Sequence, residues 1–231
     1  NNSAALYDIK TDLAKVYDLE RLMTRIIYKA ANAKDVKALG ATCRILPQLK
    51  SDLSQISTQL TRSLDKKISP LDDIADLVER AIADEPPALM KDGGYIKNGF
   101  NEELDRLRNI TGGGKDLLAQ IEQQEKEATG IKNLRVGYNR VFGYYIEVSR
   151  SNAEAVPENY IRKQTLANSE RYITEELKQL ESTVLGAQER LTALEYEVFV
   201  SVRDQIAAEV HRVQKTAQAI AALDVLCALA D

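Results

Sequence analysis

The chain has 231 residues, 44% of them apolar, and a formal net charge of −4. This length suffices for one large or two small domains with a buried core. No apolar run approaches the ~18 residues needed to span a membrane, and the first residues lack the pattern of a signal peptide, which favours a cytoplasmic protein.

The sequence offers few groups for metal, redox or covalent chemistry. Cys43 and Cys227 lie far apart on apolar helical stripes, which predicts buried free thiols rather than a disulfide or a metal pair. The single histidine, His211, falls within a helical pattern, so no His/Cys cluster has metal-ligand spacing. We therefore expect no catalytic residue, no metal site and no cofactor site in this chain.

Residues 6–82 have the spacing of short amphipathic helices. Asp18 is positioned to cap one of them, and Pro47 is expected to break another. Ser69 followed by Pro70 predicts the N-cap and first residue of the next helix. Such stripes are typical of the core of a helical bundle.

Residues 84–100 contain two prolines and two glycine-containing turn signals, which predicts a loop. A helix should begin at Asn101, break at Gly112–Gly114 and resume from Lys115 to Thr129. On the resumed helix, one face should carry three apolar side chains, Leu117, Leu118 and Ile121.

The sequence GGGKD, residues 112–116, faintly resembles a phosphate-binding loop. Asn109 stands where the first glycine of that motif belongs, and Asp116 replaces its Ser or Thr. Because a helix rather than a strand leads into it, we expect a helix break here and no nucleotide site.

Residues 130–173 differ from the rest because apolar and polar residues alternate, which predicts half-buried strands. The stretch holds seven Lys or Arg against four Glu, a local charge of +3, so the remainder carries −7 to give −4. Five of the ten tyrosines also fall here. A basic β module in an acidic helical protein is a candidate binding surface, since fields act locally.

From Thr174 onward the pattern is a coiled-coil seam without proline. We expect one helix from Thr174 to Lys215, about 60 Å long, paired with an antiparallel partner at 101–129. The predicted fold is mostly α: a helical bundle with a long antiparallel helical hairpin that carries a small antiparallel β module at its tip.

The predicted hairpin turns of this module are 138–142 and 166–169, where Asn favours turn conformations. Amide, hydroxyl and basic side chains of the kind that bind phosphate oxygens flank both turns. These candidates for contact with a nucleic-acid backbone are Asn139, Arg140, Arg162, Lys163, Gln164, Asn168, Ser169 and Arg171. An exposed sheet face is normally polar as well, so simple solvation is the alternative. The tyrosines 144, 145, 160 and 172 are expected in the sheet core rather than as stacking platforms.

Several long motifs resemble the MutS family of bacterial DNA mismatch repair proteins, of the type that carries no endonuclease. They are GYNRVFGYYIEVSRSN and PENYIRKQTLANSERYITEELKQLE, with GGYIKNGFNEELDRLR and TGIKNLRVGYN upstream in the same order. The resemblance covers nearly the whole chain. It implies a helical core or lever domain at 1–123, a clamp domain with β-strands at 124–178, and a lever helix that returns to the core at 179–231.

The resemblance also implies roles. The turns Asn139-Arg140 and Ala167-Asn168 should lie against double-stranded DNA, with Arg162, Lys163 and Arg171 adding positive potential, in contacts without sequence specificity. The lever helices should transmit the position of the clamp to an ATPase domain that this chain lacks. Phe100-Asn101-Glu102 fits the family's mismatch-reading Phe-x-Glu only by accident, because it lies in a turn before a helix.

The expected partners are the DNA backbone, a second MutS subunit in the full-length protein and a MutL-type protein, in a cytoplasmic, nucleoid-associated setting. ATP and Mg²⁺ belong to the full-length protein, and this chain, which begins without Met inside a helical pattern, is expected to be a non-enzymatic segment of it. The alternative is an architectural coiled-coil or protein-interaction arm with no direct DNA binding.

Overall fold

The computed structural model describes residues 3–56, 58–112, 114–139, 141 and 143–229. The helices are α1 (Ser3–Leu13), α2 (Leu19–Ile27), α3 (Ala33–Ser54), α4 (Gln59–Asp65), α5 (Asp72–Ala81), α6 (Glu102–Gly112), α7 (Gly114–Thr129), α8 (Glu175–Ala208) and α9 (Val210–Leu229). The strands are β1 (Arg135–Asn139), β2 (Gly143–Ser149), β3 (Ile161–Thr165) and β4 (Ser169–Ile173). Short 3-10 turns occupy Met90–Asp92 and Arg150–Ala155. The predicted mostly helical fold with a small antiparallel sheet is confirmed.

The chain divides into two compact units. One comprises Asn1–Asn101 with Leu194–Asp231 and is helical; the other, Glu102–Ala193, holds the sheet. The division expected from the family resemblance, at 123/124 and 178/179, stays a prediction.

In the helical unit, α3 is the central element and buries one stripe of apolar side chains against α1, α2 and α5. Asp18 caps α2 as predicted, because its carboxylate accepts a hydrogen bond from the Arg21 amide at 2.9 Å. Cys43 and Cys227 are buried and are not joined in a disulfide, also as predicted. Burial raises the pKa of Cys43 to about 12, so this thiol is inert at neutral pH.

Two predicted helix boundaries in this unit are wrong. Pro47 lies inside α3 instead of breaking it, because the fully buried Leu46 and Leu49 hold the helix on the core around the one missing hydrogen bond. Ser69 does not cap a helix, because Leu71 takes the N-cap position of α5; the Ser69 amide donates instead to the Thr216 hydroxyl at 3.0 Å. Helix α5 begins after Leu71, whose left-handed backbone (φ 55°) is maintained by burial of its side chain.

The predicted loop at 84–100 is anchored rather than free. Ile82 forms a bridge with Ile96, and Tyr95 and Ile96 are buried. The buried carboxylate of Glu195 accepts hydrogen bonds from the amides of Gly94 (2.9 Å) and Ile96 (3.1 Å). One acidic side chain therefore accepts hydrogen bonds from two amides of the loop.

The C-terminal helix is not continuous to Lys215, as the seam predicted. Helix α8 ends at Ala208 and α9 begins at Val210, with a turn at Glu209. The Glu209 carbonyl accepts hydrogen bonds from the amides of Arg212 and Val213, which start the new helix. Among the described residues, no helix has both the length and the apolar character needed to cross a membrane.

In the second unit the strand order is β1-β2-β4-β3, all antiparallel. One sheet face packs against α7 and the first turns of α8 around a core of Ile121, Ile131, Leu134, Ile146, Val148, Tyr160, Tyr172, Leu177 and Leu180. Leu118 joins this core, but Leu117 is exposed, so the predicted three-residue face of α7 is wrong at that position.

The helices that flank the sheet run in opposite directions, as the predicted hairpin requires. Glu103, near the start of α6, accepts a hydrogen bond from Arg190, in the middle of α8, at 3.4 Å. Ile121 of α7 shares the sheet core with Leu177 and Leu180, at the start of α8. Helix α6 ends at Gly112 and α7 begins at Gly114, so a helix leads into the glycine-rich segment, as predicted.

Two helical glycines make a direct test of this packing. A Cβ at Gly40 would lie 2.5 Å from Cγ1 of Val78 in α5, whereas a Cβ at Gly186 would meet nothing within 4 Å. Alanine gains about 1 kcal/mol over glycine from helix propensity, but overpacking costs about 1–3 kcal/mol. We expect Gly40→Ala to lower the midpoint of thermal unfolding, followed by circular dichroism, and Gly186→Ala to raise it. A stabilised Gly40→Ala variant would contradict the close α3–α5 contact.

Candidate nucleic-acid interface

The sheet face opposite the core is the open surface of the second unit. Strand β2 directs Tyr144, Ile146 and Val148 toward the helices, so alternation places Tyr145, Glu147 and Ser149 on the open face. The register adds Arg135 of β1 and Arg171 of β4, because both lie opposite Glu147. The open face is therefore polar and charged, while the other face forms the core.

Arg171 lies at the centre of the open face and is fully engaged. Its Nε donates to Glu147 at 2.8 Å, and its Nη1 donates to Gln164 at 3.0 Å. The guanidinium also lies over the ring of Tyr145, 4.3 Å from the centroid. Gly137 allows this ring to lie flat, since a Cβ there would meet its Cζ atom at 2.8 Å. Arg171 thus organises this face, and its charge is largely compensated by Glu147.

Arg162 belongs to the other face, because its register partner is Tyr172 of the core. It forms an ion pair with Glu170 at 3.3 Å and keeps its side chain 61% exposed at the edge of the sheet. Glu170 is buried and also accepts the Tyr172 hydroxyl at 2.5 Å. The Tyr172 hydroxyl, followed by Arg162, holds the pKa of this carboxyl below its usual range.

Lys163 is the extra residue of a β-bulge. Arg162 pairs with Tyr172 and Gln164 pairs with the adjacent Arg171, so Lys163 has no partner residue in β4. Its side chain is exposed. Within the part of the chain that the structure describes, Lys163 has no ion-pair partner. Of the predicted cations that are described, it is the one whose charge is not compensated by a neighbouring carboxylate.

The two predicted contact turns lie at opposite ends of the sheet. Asn139 pairs with Gly143 at one end of β2, and Ser169 pairs with Ser149 at the other end. The seven residues of β2 separate the two ends by roughly 20 Å. At the first end, Asn139 Oδ1 accepts the Val141 amide at 3.0 Å; Arg140 lies outside the described residues.

At the second end, the turn between β3 and β4 is confirmed. The Leu166 amide donates a hydrogen bond to the Ser169 carbonyl at 2.8 Å. The backbone carbonyl of Asn168, whose side chain is exposed, accepts a hydrogen bond from the Arg150 amide at 3.1 Å. The eight predicted contact residues are therefore not gathered at one point. Those described divide among two turns, the open face and one edge strand.

The tyrosines separate by strand alternation. Tyr160 and Tyr172 are buried with ring centroids 5.9 Å apart, and Tyr144 packs at the margin of the core, as predicted. Burial first, and then the hydrogen bond to Glu170, raises the pKa of Tyr172 to about 12. Tyr145 lies on the open face under Arg171, so its predicted place in the core is wrong.

The set of contact residues predicted from the sequence omitted the carboxylates that decide which cations remain uncompensated. Glu147 and Glu170 take up Arg171 and Arg162, respectively. It also passed over Lys132, Arg135 and Arg150, exposed cations that form no ion pair with any described residue. The signal that identifies Glu147, Glu170 and Arg135 is cross-strand register, which requires the order in which the strands pair. Lys132 and Arg150 lie just outside the strands, so they have no register partner.

No group of His, Cys, Asp or Glu with the arrangement of a metal site occurs among the described residues. A sheet backed by helices, with guanidinium, ammonium and amide groups on its open side, is typical of a module that binds a polyanion. The class that fold and site define is thus a helical protein with a small antiparallel β module whose open face carries cationic and amide groups.

Comparison with known proteins agrees with this class. A family model described as MutS family domain IV matches residues 99–190, which include the whole sheet. DNA mismatch repair protein MutS of Caldicellulosiruptor bescii is 50% identical over 230 residues, which cover 100% of this chain and 27% of that protein. The protein of the same name from Lachnoclostridium phytofermentans is 52% identical over 223 residues, 96% of this chain and 24% of that protein. The chain belongs to the MutS family and spans about a quarter of the length of these relatives.

The buried Glu170 predicts a pH-dependent stability. The pKa of Glu170 is lower in the folded state than its ordinary value of 4.5, so the ionised carboxylate stabilises the fold at pH values above 4.5. This contribution is lost as the pH falls through the folded-state pKa. We expect Glu170→Gln to lower the thermal midpoint at neutral pH and to approach the wild type in strong acid. Glu158→Gln, at an exposed position, is the matched control and should leave the thermal midpoint unchanged both at neutral pH and in strong acid. An equal deficit of Glu170→Gln at both pH values would contradict a role for the charge.

Proposed function

We propose that this chain is the clamp and lever portion of a DNA mismatch repair protein. In this proposal the β module contacts the backbone of double-stranded DNA without sequence specificity. The observation that carries the proposal is the match of MutS family domain IV to residues 99–190, which coincides with the unit whose sheet presents an open cationic and amide face.

The chemistry of that face supports contact with phosphate rather than with base edges. Lys163 is exposed on the edge strand, and Asn168 is exposed in a turn. Such groups give affinity and register on a duplex, but they carry no sequence information. Arg140 remains a proposed contact on the basis of the family motif alone.

A lever role is supported by the continuity of α8. This helix runs from Glu175, directly after the sheet, to Ala208, and it crosses the boundary between the two units at 193/194. Glu195, just beyond the boundary, is tied to the amides of Gly94 and Ile96. We propose that α8 is the element along which a displacement of the sheet is passed on.

The remaining roles concern the full-length protein. We propose that ATP and Mg²⁺ bind a domain outside this chain, that the protein pairs with a second MutS subunit and a MutL-type protein, and that it acts in the cytoplasm near the nucleoid. The chain itself should not hydrolyse ATP. A phosphate-release assay on the purified chain tests this, and turnover above a heat-denatured sample would contradict it.

A protein-interaction arm is the second candidate. It is favoured by apolar side chains that reach solvent on the two long helices of the sheet unit, Leu117 on α7 and Leu185 on α8. Sedimentation of the chain with and without Leu185→Glu distinguishes the two. If the wild-type chain forms a stable dimer that Leu185→Glu dissociates, and the wild-type chain does not bind DNA, the protein-interaction arm is favoured.

The DNA proposal is tested by a salt titration of binding to two labelled duplexes of unrelated sequence. Between about 50 and about 200 mM salt the affinity should fall steeply and equally for both duplexes. Arg162→Gln with Lys163→Gln should raise Kd equally on both and reduce the salt slope, by up to about one per phosphate contact removed.

The matched control removes two exposed charges from the helical unit, by Lys34→Gln with Lys215→Gln. This variant has the same net charge as the first and should leave the salt slope close to the wild type. Absence of duplex binding by the wild-type chain at low salt would reject the proposed function.

A further inference from the structure

A groove lies at the end of the sheet where β1 begins and β2 ends. It measures about 370 Å³, and its lining includes Lys126, Lys132, Arg135, Glu147, Ser149 and Ser169. Three cations thus meet a single carboxylate at one edge. Of the predicted contact residues, Ser169 alone lines the groove, so the site falls largely outside the set chosen from the sequence.

The loop that carries Lys132 is fixed by bonds on both sides. Gly130 ends α7 with a left-handed backbone (φ 72°), and its amide returns to the Lys126 carbonyl at 2.9 Å. Ile131 and Leu134 are buried on either side of the loop. Lys132 is therefore held outward between two buried anchors.

Asn133 ties the same loop to the end of β2. Its side-chain amide donates to the Ser149 hydroxyl at 2.8 Å, and its own oxygen accepts from Asn152 at 2.8 Å. These bonds use the polar atoms of Asn133 for structure. The loop backbone is thereby positioned before any ligand arrives, so less ordering entropy opposes binding.

The three cations of the groove are not equivalent. The charge of Lys126 is already compensated, because it forms an ion pair with Glu122 at 2.5 Å. The Glu122 carboxylate also accepts a hydrogen bond from the Val136 amide. Lys126, followed by that amide, holds the pKa of Glu122 below its usual range. Lys132 and Arg135 are exposed and form no ion pair with a described residue. They provide the positive charge of the groove that is not bound in an ion pair.

Glu147 occupies a defined place in this electrostatic arrangement. It lies between Arg135 on one neighbouring strand and Arg171 on the other, directly opposite both. Its carboxylate is bonded to Arg171, which leaves Arg135 without an ion pair while still lowering the local potential. A carboxylate beside an anion site weakens anion binding through like-charge repulsion.

We infer that Lys132 and Arg135 form a phosphate seat for the duplex backbone, and that Glu147 weakens this seat. The inference rests on the proposed function and adds to it a specific contact point and an opposing charge. Because the seat adjoins the turn of Asn168, a backbone that touches this turn reaches the groove as well.

Duplex binding by the complete 231-residue chain tests the seat, with the same two labelled duplexes and a salt titration. Lys132→Gln with Arg135→Gln should bind about tenfold more weakly at low salt and reduce the salt slope by about two. Lys34→Gln with Lys215→Gln again serves as the control of equal net charge and should retain the wild-type slope.

Glu147→Gln provides the opposite change, because glutamine keeps an acceptor for Arg171 but removes the charge. We expect severalfold tighter binding, a gain that misfolding cannot imitate. If the wild-type chain binds duplex but the Lys132/Arg135 variant matches the control, or Glu147→Gln does not tighten binding, the seat is rejected and the proposed function stands. If the wild-type chain does not bind, the proposed function itself is rejected.

Discussion

The β module depends on the hydrophobic contact between one face of its sheet and helices α7 and α8. Leu134, Ile146 and Leu177 are almost completely buried in this contact, and each contributes about 1.5–3 kcal/mol through removal of its side chain from water. The same contact fixes the register, because a slip of one residue would expose Ile146 and bury Glu147. What the open face presents is therefore settled by the packing of the opposite face.

Register, in turn, decides which charges are available. Glu147 compensates Arg171, and Glu170 compensates Arg162, so two of the arginines in the basic module are already paired. The +3 charge counted along the sequence overstates the potential at the centre of the sheet. Among the described residues of the module, the cations without an ion pair are Lys163, Lys132, Arg135 and Arg150, and a polyanion would be attracted to these places first.

The sequence predicted the elements better than their boundaries or their chemistry. Alternation through Tyr144, Ile146 and Val148 correctly indicated a strand, because period-two burial is a local property. Pro47 misled because tertiary packing outweighed a local helix-breaking preference. The candidate site was predicted by residue type alone. Arg171 was therefore included although Glu147 holds it, and Arg135 was left out, since the pairing order β1-β2-β4-β3 cannot be derived from local pattern.

A partly neutralised cationic face suits a contact that must form and release. Phosphate contacts from a few free cations bind a duplex weakly and with strong salt dependence, which permits movement along it. In the proposed phosphate seat Glu147 keeps this attraction low, while the bonds of Asn133 and the buried Leu134 fix the loop. On the proposed function, weak affinity combined with a fixed loop would let the module bind and release a duplex readily. That combination suits the proposed clamp role, in which contact with DNA must form and release repeatedly.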